Sequence, residues 1–245
     1  MSTQDVVLNY ARFSEIYDNV TASVHDVDQA VNFLASHANG APVLELGIGT
    51  GRIALPLQAR GLDVYGIDIS EEMIARLRGK PGGNNIQVVM GDFAEVDLGR
   101  TFSLVFAVFN TFFALLTRSD QVRCFRNVAR HLSADGCFVV EASVPDHQRW
   151  TDGQAVRCWH VDSNQVFLEL SRHDPVNQGI SSQWLLATNE GFRLFPMQIR
   201  YAWPSEMDAM AQQAGLDLLE RWGGWSHEAF SAKSARHISV YRRAG

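Results

Sequence analysis

Between about residues 40 and 145, short apolar runs alternate with segments whose apolar positions recur every three or four residues. The runs Val43–Leu46, Asp63–Ile67, Ile86–Met90, Leu104–Phe109 and Cys137–Glu141 are nearly continuous in apolar residues. That pattern predicts strands buried on both faces of a parallel sheet. The intervening segments have readable helix ends. Ser70 is placed to cap a helix whose first turn holds Glu71 and Glu72, where carboxylates meet the positive end of the helix dipole. Val122, Phe125, Val128, Ala129 and Leu132 keep helical spacing after Ser119-Asp120 and stop before Asp135-Gly136. Strand–helix alternation of this kind predicts an α/β fold, a doubly wound, mostly parallel sheet with helices on both faces.

The pattern changes from 150 to 204. Val166, Leu168 and Leu170 alternate with Phe167, Glu169 and Ser171, and Phe195, Met197, Ile199, Tyr201 and Trp203 share one face of a period-2 pattern. Turn signals at Pro175–Gly179 and at Asn189-Glu190-Gly191 separate these stretches, which predicts antiparallel strands inserted after the fifth strand of the main sheet. A helix opened by Ser205 and Asp208 and closed by Gly215 follows, with strands near Asp217–Arg221 and His237–Arg242. Upstream, Asn9–Val20 and Asp26–Ala38 read as amphipathic helices. The expected organisation of 1–245 is one unit: a helical cap over 1–39, a core from 40–149 and 205–245, and the insertion over 150–204.

Composition narrows the function. Of 245 residues 46% are hydrophobic, and 21 Lys and Arg face 27 Asp and Glu, a net charge of −6. An acidic chain without basic runs is a poor grip for a phosphate backbone, so no nucleic-acid partner is expected. The longest apolar stretch, Leu104–Leu116, is interrupted by Asn110 and Thr111 and falls short of the roughly 20 residues of a spanning helix. The N-terminal residues carry no signal-peptide pattern. The three cysteines form no C-x-x-C pair, which fits a reducing, cytoplasmic setting. No metal-ligand spacing stands out among Cys and His.

The chemistry concentrates in Val43-Leu44-Glu45-Leu46-Gly47-Ile48-Gly49-Thr50-Gly51-Arg52, a strand running through a glycine turn into a helix. Glycines there allow positive φ and close approach of a ligand to the backbone. The second strand ends at Asp68, where a carboxylate can accept hydrogen bonds from both ribose hydroxyls. The third ends at Gly91-Asp92-Phe93, an oxygen and a ring suited to adenine. Gly49 to Ala54 also satisfies the G-x-G-x-x-A form of a dinucleotide fingerprint, which keeps a nicotinamide-dependent oxidoreductase as an alternative. Glu45 separates the two readings. A carboxylate beside the turn repels a pyrophosphate and attracts a ligand with an amino group and a sulfonium.

The stretches ELGIGTG, GIDIS and GDF resemble the class I methyltransferases that use S-adenosylmethionine. The resemblance covers a Rossmann-like core over 40–145. FSEIYD (Phe13–Asp18) and the insertion resemble small-molecule methyltransferases of natural-product pathways, including those acting on amino sugars. It implies that Gly47, Gly49 and Gly51 line the methionine part of the cofactor, that Asp68 takes the ribose, and that Ile69 and Met73 bracket the adenine, with Asp92 and Phe93 beside it. It further implies that Glu45 lies at the amino end, that Phe109 offers a backbone carbonyl at the end of strand four, and that Tyr17 closes over the site. The product would be S-adenosylhomocysteine. Two departures stand out. Pro56 falls in the helix after the turn, where it should bend or tighten the first turns. Phe109-Asn110-Thr111-Phe112 stands where enzymes of planar amides carry Asn/Asp-Pro-Pro-aromatic. The expected reaction is therefore metal-independent methyl transfer to an N, O or C nucleophile of a small molecule.

Methyl transfer from a sulfonium rests chiefly on alignment, and a base is needed only for a protonated nucleophile. Glu141, His147, His173 and Tyr201 are the candidates. Glu141 could equally cap a loop, and Tyr201 could simply pack. Trp150, Trp159, Trp184 and Trp203 suggest an aromatic pocket under the insertion or plain packing of its sheet. Arg149, Arg172 and Arg200 could together receive an anion, or be scattered surface charges. A non-catalytic S-adenosylmethionine-binding protein is a further alternative, and the insertion offers an apolar face for a possible homodimer.

Overall fold

The structure is a computed structural model that describes residues 12–18, 26–40 and 42–245. Helices α1 (12–18) and α2 (Val27–His37) lead into β1 (Val43–Leu46), α3 (Ala54–Ala59), β2 (Val64–Asp68), α4 (Glu71–Arg78), β3 (Gln87–Met90), β4 (Phe102–Ala107), α5 (Arg118–His131) and β5 (Leu132–Ser143). Four consecutive strands follow, β6 (Gln154–Val161), β7 (Gln165–Asp174), β8 (Gly179–Thr188) and β9 (Gly191–Arg200), then α6 (Pro204–Gln213), β10 (Leu216–Trp222) and β11 (Arg236–Arg243). The remainder of the helix expected over Asn9–Val20 lies outside the described residues.

Seven strands form the main sheet in the order β10-β11-β5-β4-β1-β2-β3, and β6 to β9 form a second, antiparallel sheet. Pairs among β1 to β5 are parallel, and β11 runs antiparallel to both its neighbours. The chain crosses over beside β1, which pairs with β2 on one side and β4 on the other. In open α/β sheets ligands settle outside the carboxyl ends of strands at such a switch point.

Strand periodicity divides the core into two layers. Leu44, Leu46, Ile67, Val105, Phe138 and Val140 face α5 and α6, where Phe125, Val128, Met207 and Met210 are buried. Val43, Val64, Leu104, Phe106 and Val139 face the other way, onto Val31, Phe33 and Leu34 of α2 and Leu57 of α3. β3 departs from the expectation of strands buried on both faces. It is the edge strand, and Val89 and Met90 are exposed. Pro56 coincides with a short helix, since α3 is only six residues long.

Two cap assignments differ in outcome. Ser70 does cap α4, accepting a hydrogen bond from the Met73 N–H at 3.3 Å. Ser205 does not cap α6, because Pro204 opens that helix and Trp203 is the capping position, with no side-chain bond. A proline without an N–H fits the first helical position, where the donor would be an orphan.

On β7 the row turned inward is Phe167, Glu169 and Ser171, all buried, while Leu170 of the aliphatic row is 38% exposed. Phe167 and Phe195 pack with Phe13 and Ile16 of α1, so the second sheet holds the N-terminal helix. Its last strand is anchored by Arg200, which donates to Gln121 Oε1 at 2.6 Å, Gln178 Oε1 at 2.6 Å and Glu206 Oε1 at 2.9 Å. Arg200 thereby joins β9 to α5 and α6. Arg172 is exposed and Arg149 pairs with Glu169, so the three arginines do not gather at one anion site.

Arg200→Ala should destabilise the fold by about 3 kcal/mol, because it strips the buried Gln121 Oε1 of its guanidinium donor and leaves Glu206 only one cation, the exposed Arg118, at 3.8 Å. Urea unfolding measures this, and a loss below about 1 kcal/mol would mean the anchor is dispensable. His237 is fully buried, and burial, with a smaller effect of Arg221, pushes its pKa down to about 3. The unfolded chain therefore binds a proton below about pH 6.5 that the folded chain refuses. Stability should fall as pH drops from there toward 3, by up to about 1.4 kcal/mol per pH unit. His237→Asn, which can keep a bond to Ser239, should make urea midpoints less sensitive between pH 7 and pH 5; an equal loss would assign the effect elsewhere.

Candidate active site

Side chains converge on a cleft at the carboxyl ends of β1 and β4. Tyr17, Glu45, Gly47, Ile48, Gly49, Thr50, Arg52, Ile53, Val108, Phe109 and Thr111 line it. The glycine turn is built for close packing. A Cβ on Gly47 would stand 2.5 Å from Thr111 Cγ2, and its φ of +67° also favours glycine. Gly51 also has a packing role. Its missing Cβ makes room for Leu77 Cδ1 at 2.3 Å, so it lets α4 approach the turn.

Buried carboxylates organise the loops around the cleft. Asp68 Oδ2 accepts from the Gly49 N–H at 2.7 Å and Oδ1 from the Ser70 N–H at 2.9 Å. Burial raises its pKa, and the backbone donors of Ser70, Gly49 and Ile69 counter that rise. Glu45 is pushed further up, first by burial and then by Asp68, with Arg52 and the Ala54 N–H acting in the opposite direction. Its Oε2 is buried without a hydrogen-bond partner. A buried, unpartnered carboxylate oxygen is costly unless something cationic or protic meets it. This orphan oxygen, the glycine cradle and the ribose-type carboxylate of Asp68 fit an adenosyl ligand that ends in an amino group.

Arg52 crosses the cleft, with its Cζ 4.0 Å from the centroid of the Phe109 ring and Nη2 3.3 Å from the Tyr17 hydroxyl. Helix α1 is fastened over the turn by Asp18, which accepts from Thr50 Oγ1 at 2.6 Å and pairs with Lys80 Nζ at 2.7 Å. Ile69, Met73, Asp92 and Phe93 lie outside this lining. Met73 is buried in α4, and Asp92 caps its own turn by accepting from the Ala94 N–H at 2.8 Å. They follow β2 and β3, on the far side of Asp68 from the Glu45 end of the cleft.

Phe109 corrects an expectation. β4 ends at Ala107, and Phe109 and Asn110 both adopt positive φ, 56° and 64°. Two successive non-glycine residues in that region are uncommon and need external support. Glu141 supplies it, since its carboxylate accepts from the backbone N–H groups of Phe109 and Asn110, while Asn110 Oδ1 accepts from the Ser143 N–H at 2.7 Å. Glu141 thus holds a loop, the alternative weighed for it beside that of a base.

The other three candidates come together. Tyr201 is 2% exposed, and its hydroxyl lies 3.0 Å from His173 Nε2 and 3.3 Å from His147 Nε2. Trp150 stacks on His173 at 4.3 Å between centroids, and Trp203 on His147 at 5.4 Å. Burial and the nearby His147 lower the His173 pKa, and burial raises that of Tyr201. At neutral pH the cluster thus holds a neutral imidazole and an intact phenol. Thr50, Arg52, Ile53, Val108 and Thr111 were not singled out as site residues from the sequence. Arg52 had a signal, a cation directly after the glycine turn, whereas Thr111 becomes visible only once the loop after β4 is folded against Gly47. Among the described residues no group of three or more His, Cys, Asp or Glu side chains is placed to hold a metal ion, and no helix is long and apolar enough to cross a membrane.

Comparison with known proteins gives this geometry a family. A methyltransferase domain model matches residues 43–136. The solved structure of the CcbJ methyltransferase from Streptomyces caelestis is 38% identical, with a TM-score of 0.92 over 98% of this chain and 99% of that one. The cypemycin N-terminal methyltransferase from a Streptomyces species is 27% identical over 232 residues, 94% of this chain and 95% of its own. An amino pentose methyltransferase of calicheamicin biosynthesis from Micromonospora echinaspora, solved with S-adenosylmethionine bound, shares the fold at a TM-score of 0.70 and 22% identity over 93% of this chain and 96% of its own. A likeness that runs nearly end to end, joined to a family match across the glycine turn, makes this chain a member of the S-adenosylmethionine-dependent methyltransferases, with S-adenosylmethionine as its cofactor.

Proposed function

We propose that the protein transfers a methyl group to the amine nitrogen of a small molecule or peptide of natural-product type. The observation that carries this reading is the His147–Tyr201–His173 cluster, in which burial and the nearby His147 lower the His173 pKa. An aliphatic amine arrives as an ammonium, and its lone pair becomes available only when a proton leaves. A neutral imidazole hydrogen-bonded to a buried phenol can receive that proton, and His147, which is exposed, can pass it to water. The relatives support nitrogen as the acceptor atom: cypemycin is methylated at its N-terminus, and an amino pentose is the substrate class of a structural neighbour.

When bound, S-adenosylmethionine supplies a methyl carbon attached to a sulfonium, whose leaving group is a neutral thioether. Glu45 would meet its amino group, Asp68 its ribose hydroxyls, Gly47 and Gly49 its methionine portion, and Arg52 its carboxylate. Ile69, Met73, Asp92 and Phe93 would enclose the adenine beyond Asp68. Tyr17 and Phe109 would close the cleft and exclude water, which leaves alignment of the acceptor as the main contribution of the chain.

Methyl-labelled S-adenosylmethionine, incubated with the protein and an extract of the organism that encodes it, should label an amine-bearing small molecule or peptide. Label in the nucleic-acid fraction, or in an acceptor without an amine, would sink the reading. With that acceptor in hand, kcat should rise with pH over a limb below about 6.5, where His173 loses its proton. His173→Gln should lower kcat about 100-fold and remove the limb, with the KM for cofactor unchanged. An unchanged rate and limb would take the cluster out of proton transfer.

Glu45 must be ionised to meet an ammonium, so cofactor affinity should weaken as pH falls through its raised pKa. Glu45→Gln should bind S-adenosylmethionine about tenfold more weakly at pH 8, with little dependence on pH, as titration calorimetry would report. Equal pH dependence in both proteins would place the amino group elsewhere.

A further inference from the structure

Phe167 and Phe195 turn one face of the second sheet toward α1, so the residues that alternate with them form the opposite, outer face. Cross-strand pairing sorts that face into rows of one residue from each strand. The rows through Leu170, Leu168 and Val166 are apolar at every position except Gln183, and none of them carries a charge. The next row, through Arg172, is polar. Much of the apolar surface is open: Val156 is 69% exposed, Val161 66%, Phe192 71% and Leu194 46%. An antiparallel sheet with one face on the core commonly turns polar residues outward, and a contiguous exposed apolar patch marks an interaction surface.

Size and charge say what covers it. The sheet is four strands wide, and β7, β8 and β9 are ten residues long. At about 4.8 Å between strands and about 3.4 Å per residue, its face has a footprint of about 600 Å². Side-chain relief enlarges that toward the roughly 800 Å² each partner contributes to a standard interface. Interfaces between identical subunits are also the more apolar class. Each chain carries a net charge of −6, so two copies repel in general and approach most easily where both present no charge. Apposed about a two-fold axis, the three rows meet one another, and no like charges are brought together.

We propose that the outer face of the second sheet is the contact between two copies of this chain, packed sheet on sheet about 10 Å apart. Cys158 on β6 belongs to the Leu168 row and is exposed in a single copy, whereas Cys124 and Cys137 are buried. Docking of a second copy covers Cys158, which makes that thiol a native probe of the contact.

The test is sedimentation velocity of the full chain, joined to maleimide labelling of Cys158 read by mass spectrometry. Wild type should sediment as a dimer at micromolar concentration, and Cys158 should react faster as dilution frees the monomer. Phe192→Lys and Leu194→Lys put cations on the face while reducing the net negative charge, so weaker association cannot come from added repulsion between whole chains. Each should weaken dimerisation about tenfold or more and speed the labelling of Cys158, with the circular dichroism spectrum and the affinity for S-adenosylmethionine unchanged. If a Lys variant does not fold, concentration-dependent protection of Cys158 in wild type decides. A wild type that stays monomeric at all concentrations, its outer face open or covered by another segment or protein, would overturn the proposal. So would a dimer in which Cys158 reacts at the monomer's rate, or one that both folded Lys variants leave intact.

Discussion

The burial of negative charge along the carboxyl edge of the main sheet is the constraint on which the rest of the site depends. Glu45, Asp68 and Glu141 stand at the ends of β1, β2 and β5, each at most 8% exposed and each with its pKa raised by burial. Desolvated carboxylates are tolerated when fixed donors meet them, and here the donors are backbone N–H groups of the loops themselves. Asp68 fixes the glycine turn through Gly49. Glu141 fixes the strained pair Phe109-Asn110. Glu45 takes one donor, from Ala54, and leaves one oxygen unmet. The same groups that give the cleft its negative character thus shape its walls.

The pieces that complete the cleft are attached by different physics. Helix α1 is fastened by polar contacts at its end, Asp18 to Thr50 and Lys80, with side chains about a third exposed that water screens. Its other face is held by Phe13 and Ile16 against Phe167 and Phe195. The second sheet is tied to the core more firmly, through the buried Arg200 and its three acceptors. Arg76 Nε donates to the buried Ser14 Oγ at 3.1 Å and Arg52 Nη2 to the Tyr17 hydroxyl at 3.3 Å, which add to the hold on α1.

Most of the fold was legible because its signals are local. Val43–Leu46 and its glycine turn, the cap at Ser70 and the helical row from Val122 are each set by residues within one or two turns of one another. What was not legible depends on distances between elements. Gly51 and Gly49 are two positions apart in one motif, yet only the placement of Leu77 on α4 decides that Gly51 serves packing. β7 carries apolar residues on both faces, so alternation alone did not say that Phe167, Glu169 and Ser171 turn inward. β3 reads like a buried strand, but its exposure follows from being last in the sheet. Glu141, His147, His173 and Tyr201 could be named from the sequence but not sorted. A loop with positive φ claimed the first, and a 3.0 Å and a 3.3 Å contact joined the others.

The carboxylate edge of the main sheet and the Tyr201 cluster are electrically unlike, and that difference bears on mechanism. A cation 4 Å from one carboxylate gains on the order of 4 kcal/mol at an effective dielectric of 20, so the cofactor side retains ammonium groups in their charged form. An amine held there would keep its proton and could not attack. The Tyr201 side has a neutral imidazole whose affinity for a proton is lowered by burial and by the facing His147, and a phenol that stays protonated. Buried carboxylates at Glu45, Asp68 and Glu141 favour a cationic cofactor, while burial at His173 disfavours positive charge, so one fold holds both environments.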